Sequence, residues 1–280
     1  MDKIKQWEWE IGEERQWFRI NLRELFQYKD LLISLIRREL LSSYSQTVLG
    51  VLWILIQPIL LTLFYLLVFG NIVKVSTDGI PPVLFYMSGA IIWSFFSDTL
   101  NGTMYSFVKN AHIFGKIYFP RLLIPFSLFF TYAIRNGVQL LLFFVLMFVF
   151  GGGSTIVYPL LVLIPVLFLF SGLFGFGLGL VVSAYTAKYK DLEQLVMFLV
   201  RLFMFVTPVV YPATLISEKY QTLFWLNPLT PIIETFRAIL FQHEPLHVTA
   251  LICGFAVVVL IFILSLLLFK RKETKIIDNI

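Results

Sequence analysis

The chain has 280 residues, of which 59% are hydrophobic and only 14% are charged, and its formal net charge at pH 7 is +5. Soluble domains carry charge on roughly a quarter of their residues, so this composition excludes a soluble globular domain and indicates a polytopic membrane protein. The basic residues lie mainly in short segments beside apolar runs, which is a membrane-topology signal, and we expect no nucleic-acid partner.

Cysteine and histidine usage argues against a metal or disulfide site. The single cysteine, Cys253, lies inside an apolar run, and the three histidines, His112, His243 and His247, are not at ligand spacing with carboxylates. We therefore expect no metal in this chain. The first apolar run begins near Val48 behind a long hydrophilic leader, so we also expect no cleavable signal peptide.

The leader, residues 1–46, combines apolar residues at three- and four-residue steps with basic residues between them. Leu31 and Leu35 belong to the apolar set, and Arg37 and Arg38 to the basic set. This spacing predicts a cytoplasmic interface segment of two amphipathic helices that lies along the membrane surface or against a partner. A basic leader resting on anionic lipid explains the same residues equally well.

Six apolar runs are long enough to cross a bilayer, whose core of about 30 Å takes about 20 helical residues. The sequence therefore predicts an all-α integral membrane protein, with one transmembrane domain at residues 47–270 and a cytoplasmic tail at 271–280. The six predicted spans are about 48–73, 83–107, 121–150, 157–184, 192–212 and 248–269.

Basic residues indicate how these spans are oriented. The leader, the segments 108–121 and 185–191 and the tail counted from Lys270 together contain seventeen Lys and Arg, whereas the opposite side contains three, Lys74, Lys219 and Arg237. Positively charged segments stay on the cytoplasmic side, so both termini are predicted to be cytoplasmic.

Residues 213–247 are apolar enough to suggest a seventh span, but Asn227-Pro228, Pro231 and Arg237 interrupt them. A seventh crossing would also place the basic tail outside. The sequence therefore predicts two short helices that enter from the outer face as a re-entrant hairpin buried against protein.

A stripe of polar and aromatic residues runs along the first span. Gln46, Gly50, Trp53, Gln57 and Phe64 fall within about 60° of one another at 100° per residue. The glutamines predict that this face meets protein or an aqueous path, because lipid offers them no hydrogen-bond partner. A helix-packing seam, in which Gly50 permits close approach, explains the stripe equally well.

Asp98 is a carboxylate within the second predicted span, where such a group is expected to be paired or hydrated. Arg135 in the third span and Arg201 in the fifth could pair with it. Asp98 and Arg201 each lie about nine residues, or about 13 Å, from a predicted cytoplasmic end, so depth favours Arg201. We interpret the pair as a buried ion pair that locks helices together.

No motif in the chain predicts catalysis. Gly175 and Gly179 form a Gly-x-x-x-Gly face typical of close helix packing, not of a nucleotide-binding loop, since no strand precedes them. Gly115-Lys116 lacks the rest of a phosphate-binding loop, and Asp-x-Asp, Gly-x-Ser-x-Gly and His-Glu-x-x-His motifs are absent from the sequence. We therefore expect a non-enzymatic chain that binds no cofactor itself.

Four motifs occur in order on the predicted topology. They are Arg37-Arg38-Glu39 with 44–53 and Gln57-Pro58 at the membrane entrance, 110–125 between spans 2 and 3, Tyr189-Lys190-Asp191 before span 5, and Thr207-Pro208, Tyr211-Pro212 and 227–237 in the hairpin. Together they resemble type-2 ABC exporter permeases for polysaccharides, the family of O-antigen, capsule and teichoic acid exporters. The likeness covers residues 22–270. Ser43 and Ser45 stand where the family usually has basic residues.

The resemblance implies a permease subunit of the bacterial inner (plasma) membrane. It would form a homodimer with two copies of a separate ABC ATPase, and that partner would bind ATP and Mg. The substrate would be an undecaprenyl-linked glycan, moved to the outer face. The candidate residues of the translocation path are Gln46, Trp53, Gln57, Phe64, Phe198 and Phe205. The candidates for binding the lipid headgroup are Lys29, Arg37, Arg38 and Tyr44.

By the same likeness, residues 106–116 would couple the permease to the ATPase, with the leader helix beside them. The coupling candidates are Phe107, Lys109, Asn110, His112, Phe114 and Lys116. The candidates of an external gate in the hairpin are Pro208, Tyr211, Asn227, Pro228, Pro231 and Arg237.

Other functions fit parts of the sequence. A type-2 ABC permease for a small lipid, drug or antibiotic would share the topology. An ATP-independent channel or carrier would need an ion site, and Asp98 is the intramembrane carboxylate that could serve. The absent Asp-x-Asp motif argues against an integral glycosyltransferase. ATP dependence of export would separate the ABC permeases from the channel or carrier.

Overall fold

The computed structural model of the chain describes residues 27–45, 47–110, 119–150, 157–186, 191–242 and 246–278. Every regular element within these ranges is helical, as the apolar runs predict. The α-helices, in chain order, are α1 (Lys29–Tyr44), α2 (Trp53–Tyr65), α3 (Pro82–Met104), α4 (Ser106–Lys109), α5 (Leu123–Val149), α6 (Leu163–Thr186), α7 (Asp191–Val206), α8 (Glu218–Leu226), α9 (Leu229–Phe241) and α10 (Val248–Asp278).

Five helical segments within the described residues are long and apolar enough to cross a membrane, and they coincide with five of the six predicted spans. The first is a composite, here called span 1, in which a 3₁₀ turn precedes α2 and a π-helix, Leu66–Ile72, follows it. The five segments are Gly50–Ile72, Pro82–Met104, Leu123–Val149, Tyr158–Thr186 and Val248–Lys272.

The fifth predicted span, 192–212, is not confirmed as a crossing helix. Helix α7 has 16 residues and ends at Val206, so it covers about 24 Å at 1.5 Å per residue, less than the hydrocarbon core. The helix ends there because Thr207 precedes Pro208, and a proline disfavours the helical conformation of the residue before it.

Helix α3 lies at the centre of the bundle and is buried along most of its length. It packs most extensively against α6, where a Cβ added to Gly175 would lie 2.2 Å from the carbonyl oxygen of Phe96 and one on Gly179 would lie 2.6 Å from that of Leu100. The glycine face of the fourth span therefore packs directly on the backbone of α3, which confirms the helix-packing interpretation.

The other helices surround this pair. Helix α10 packs on α6, while α5 and α2 pack on α3. The leader helix α1 packs on the start of α5, where Leu35 joins a small core with Phe119, Leu123 and Leu128. The described part of the leader thus rests its apolar face on its own chain.

Gly50 has a backbone conformation that the sequence did not predict. Its φ is +52°, and no described heavy atom of its own chain lies within 4 Å of the position of an added Cβ. Glycine is therefore suited to this position by its left-handed backbone, where the leader turns into span 1, and not by a close contact within the chain.

Residues 213–242 contain the two short helices expected of the hairpin, α8 and α9. Helix α9 packs against α3, α6 and α10, and nearly all its residues are buried. Helix α9 is thus covered by protein, as predicted for the hairpin, whereas α8 is largely exposed, with Phe224 its one buried residue. The re-entrant course of the hairpin and the orientation of the termini remain predictions.

Candidate functional site

The aromatic residues predicted to line a path lie on the outer surface of the single chain. Trp53 and Phe64 on span 1 are 38% and 59% exposed, and Phe198 and Phe205 on α7 are 56% and 54% exposed. Gln46 lies outside the described residues. These side chains therefore could line a path only where this surface meets another chain.

Helix α7 attaches to the bundle through the opposite face. The Tyr65 hydroxyl donates to Met204 Sδ at 3.2 Å, and the Tyr105 hydroxyl donates to Met197 Sδ at 3.3 Å. Val200 is the residue of this helix that is fully buried. The packed face thus leaves Phe198 and Phe205 on the outside.

Asp98 has different neighbours from the one that depth favoured. Asn136 Nδ2 on α5 donates to Asp98 Oδ2 at 3.2 Å, and the charge of Arg135 acts on the carboxylate from the same helix. Arg201 is exposed on α7. Within one chain the preference for Arg201 is therefore wrong, because Arg201 lies on the helix face that points away from α3.

Gln57 and Arg135 form a contact that the sequence did not predict. Arg135 Nη2 donates to Gln57 Oε1 at 2.7 Å, which joins span 1 to α5. The polar cluster around Asp98 is thus built from three helices, since Gln57, Asp98 and Asn136 come from span 1, α3 and α5. The signal that could have revealed it is the polar run Arg135-Asn136 with Gln139 in an otherwise apolar span.

Several polar atoms of this cluster have no hydrogen-bond partner among the described residues. They are the Tyr44 hydroxyl, Arg135 Nε, Asn101 Oδ1 and Asn136 Oδ1, all of them buried. Tyr44 ends helix α1, and burial raises the pKa of its phenol above the ordinary value. Groups of this kind are normally satisfied by water, an ion or a ligand.

The four residues predicted to bind a lipid headgroup do not form one site. Lys29 and Tyr44 lie at opposite ends of α1, about 22 Å apart at 1.5 Å per residue. Arg37 is exposed, whereas Arg38 Nη2 donates to Asn110 Oδ1 at 3.1 Å. Tyr44 alone lies near the polar cluster of the spans.

The leader helix contacts the segment predicted to couple with an ATPase. Lys109 Nζ forms an ion pair with Glu39 Oε1 at 2.8 Å, next to the Arg38–Asn110 hydrogen bond. Phe107 is buried and stacks on Phe269 of α10, with ring centroids 5.1 Å apart. The other three coupling candidates, His112, Phe114 and Lys116, lie outside the described residues.

Arg237 joins the hairpin to the centre of the bundle. Its side chain is almost completely buried and forms an ion pair with Glu234 at 3.1 Å. It donates to Ser88 Oγ at 3.2 Å and to the carbonyl oxygens of Phe85 and Val209 at 3.3 and 3.0 Å. The guanidinium also lies 3.7 Å from the ring centroid of Phe85. Arg237 is thus a buried junction of α9, α3 and the segment after α7.

The remaining gate candidates connect the end of α7 to the start of α9. Asn227 Nδ2 donates to Thr207 Oγ1 at 2.9 Å, and Asn227 Oδ1 accepts from the backbone N–H of Leu229 at 3.0 Å. The Tyr211 hydroxyl donates to the carbonyl of Phe205 at 2.9 Å. Three prolines of this region, which initiate or precede helical turns, are all buried: Pro208, Pro228 and Pro231.

Comparison with known proteins identifies the family. Residues 30–241 match the ABC-2 type transporter family. An O-antigen export system permease, RfbA, of Myxococcus xanthus is 30% identical over 259 residues, covering 90% of this chain and 96% of the relative. The RfbA permease of Klebsiella pneumoniae is 28% identical over 227 residues, covering 81% of this chain and 85% of the relative.

These matches confirm the resemblance to type-2 ABC permeases of the polysaccharide exporter family that the four sequence motifs indicate. The relatives are named as permease proteins of an export system, which agrees with a non-enzymatic transporter subunit. With five apolar helices able to cross a bilayer, the chain is a multi-pass membrane protein and belongs to the ABC-2 type transporter family.

Proposed function

We propose that this chain is the permease subunit of an ABC exporter that moves a lipid-linked polysaccharide of the O-antigen kind across the bacterial inner membrane. The observation that carries the proposal is the likeness to the Myxococcus xanthus O-antigen permease, which extends over 96% of that protein at 30% identity. Export would be powered by ATP hydrolysis in a separate subunit.

In this proposal two copies of the chain assemble with two copies of an ABC ATPase. ATP and Mg bind to the ATPase, and the cargo is an undecaprenyl-linked glycan. The exposed apolar faces of span 1 and α7, which carry Phe64 and Phe198, support a second copy as the partner. A surface of this kind gains from burial against protein when it also carries polar groups such as Gln57.

The translocation path then lies between the two copies, with Trp53 and Phe205 on its wall. Aromatic rings suit a polysaccharide because they stack on the apolar faces of sugars without fixing their register. The hairpin 213–247, held by Arg237, would cap the outer end as a re-entrant element. Both termini would face the cytoplasm, as the distribution of basic residues predicts.

Coupling to the ATPase would run through residues 106–116 and the leader helix. The Glu39–Lys109 ion pair and the Arg38–Asn110 hydrogen bond support this, because they connect the two elements directly. A movement of either element at the ATPase would therefore be transmitted to the other and, through Phe107, to α10.

The decisive experiment is export in inverted membrane vesicles that contain the permease, its ATPase and a radiolabelled lipid-linked glycan. We expect glycan to become protected in the lumen only when ATP is supplied and the ATPase is active. A catalytically inactive ATPase subunit is the matched control. Glycan uptake without ATP would favour a channel or carrier, and ATP-dependent movement of a short lipid but not of the glycan would favour a small-lipid permease.

A further inference from the structure

The seam between span 1 and α5 carries a guanidinium at the surface of the bundle. Arg135 is partly exposed there, and its hydrogen-bond partner Gln57 is exposed. Both residues lie within segments long and apolar enough to cross the membrane. A cation at this depth is costly unless an anion or water accompanies it. We therefore expect water or a polar ligand at this seam.

The chain does not place an anion in contact with this cation. Asp98 acts on Arg135 electrostatically, but no ion pair of 4 Å or less joins the two in the part of the chain that the structure describes. The Asp98 carboxylate accepts from Asn136 instead, and Gln57 is neutral. The positive charge of Arg135 thus remains available to a ligand from outside.

The groups around Arg135 are mainly donors. Gln57 uses its carbonyl oxygen to accept from Arg135, which leaves the Gln57 amide Nε2 as a donor. Arg135 Nε and the Tyr44 hydroxyl also have no partner among the described residues, but both atoms are buried, so the donors open to a ligand are those of the exposed Arg135–Gln57 pair. Asn136 Oδ1, beside Asp98, is a buried acceptor that likewise has no hydrogen-bond partner among the described residues. A cation with several donors matches an oxyanion, and the planar guanidinium matches a phosphate in particular.

Apolar side chains on the same two helices are exposed next to this pair. Trp53 and Leu60 lie one turn before and after Gln57, and Ile134 precedes Arg135; their exposed fractions are 38%, 54% and 49%. A ligand here therefore meets a phosphate-binding group and a hydrocarbon-binding surface together. A free phosphate would use only the first of these.

We propose that Arg135 and Gln57 bind the phosphate of a lipid headgroup at the seam between span 1 and α5. The lipid is either a membrane phospholipid or the phosphate-linked polyprenyl carrier of the cargo; the second source rests on the proposed function, and the first does not. The site is distinct from Lys29, which lies at the far end of α1.

The test measures lipid binding to the full-length chain by native mass spectrometry from detergent micelles. The probes are dioleoyl phosphatidic acid and, as a match without phosphate, dioleoylglycerol. Arg135→Gln should weaken phosphatidic acid binding by about 10- to 100-fold, the effect of losing hydrogen bonds to a charged group. Arg135→Lys should retain part of the affinity because it keeps the charge and loses the fork. No variant should change dioleoylglycerol binding.

Two further variants guard against trivial outcomes. Arg201→Gln is the matched control, because Arg201 is an exposed arginine on a neighbouring apolar helix, and it should leave phosphatidic acid affinity unchanged. Gln57→Leu removes a donor at an exposed position without disturbing the core, so it should weaken binding several-fold even if Arg135→Gln fails to fold. Wild-type affinity in Arg135→Gln or Gln57→Leu, or an equal loss in Arg201→Gln, would overturn the proposal.

A second pair of probes separates the two sources. If polyprenyl phosphate binds more tightly than phosphatidic acid and both are lost in Arg135→Gln, the site holds the cargo carrier. If both bind equally, the site holds bulk phospholipid. The vesicle assay tests export independently of this measurement, so a chain that exports glycan but binds neither phospholipid nor polyprenyl phosphate at Arg135 refutes this site alone.

Discussion

Replacing Arg237 by leucine should unfold the hairpin side of the bundle at a much lower temperature. The guanidinium is buried and forms an ion pair with Glu234, whose side chain is only 10% exposed. Leucine removes the cation and leaves that carboxylate in a buried place. Breaking a buried pair by removing one partner costs about 3–5 kcal/mol. At about 2–4 °C per kcal/mol, the unfolding midpoint should fall by about 6–20 °C.

A second substitution separates the two parts of this cost. Adding Glu234→Gln to Arg237→Leu removes the charge that has lost its Arg237 partner, so the double variant should be more stable than Arg237→Leu alone. It should stay below the wild type by about 1–3 kcal/mol, because the carbonyl oxygens of Phe85 and Val209 lose their donor.

The assay is thermal unfolding of the full-length chain in one detergent, followed by tryptophan fluorescence and by loss of the monodisperse peak in size-exclusion chromatography. Lys219→Leu is the control, because Lys219 is an exposed cation of the same hairpin. A midpoint for Arg237→Leu within about 2 °C of that for Lys219→Leu would refute the reasoning, since a junction residue cannot be as dispensable as a surface one.

Three further predictions concern the glycines and the leader. Gly175→Ala should destabilise the chain by about 1–3 kcal/mol in the same unfolding assay, because its Cβ would lie 2.2 Å from a backbone oxygen of α3. Gly137→Ala is the control and should be neutral or stabilising, since no described atom lies within 4 Å of its Cβ position. Equal losses of stability in the two variants would contradict the close packing. Gly50→Ala should cost about 1–2 kcal/mol because its φ is +52°, and an unchanged midpoint would show that this backbone is not maintained. Lys109→Glu or Glu39→Lys should each lower the stimulation of the partner's ATP hydrolysis about two- to five-fold. The double variant with both charges reversed should restore the stimulation if the 2.8 Å ion pair transmits the coupling. No recovery would argue that the two residues act separately.

The length and spacing of apolar residues predicted well those features that depend on a single helix. The five crossing segments follow from run length, and the Gly175–Gly179 face follows from spacing on a single helix. The fifth span was overestimated because hydropathy ignores what Pro208 does to the residue before it. The left-handed backbone of Gly50 was not predicted, because a glycine in a sequence does not distinguish close packing from a left-handed backbone.

The candidate site depended on how helices are rotated against one another, which one sequence does not specify. Depth in the membrane alone paired Asp98 with Arg201. The contact depends instead on the direction in which each side chain leaves its helix, and Asn136 is the residue that faces Asp98. The same limit hid the partner of Gln57 and the role of Ser88 beneath Arg237. Local polarity drew attention to Gln57 and Arg237 but did not predict their contacts.

The packing of α1 on the start of α5 has a consequence for biosynthesis. Leu35 leaves the ribosome 84 residues before Phe119 and 93 before Leu128, the partners that cover it. At a synthesis rate of about 5–20 residues per second, about 4–19 s pass between synthesis of Leu35 and synthesis of the residues that cover it. The first two spans are made during this interval. During that interval the amphipathic face of α1 can rest on the membrane surface. The leader therefore reaches its final position only after the third membrane segment has been made.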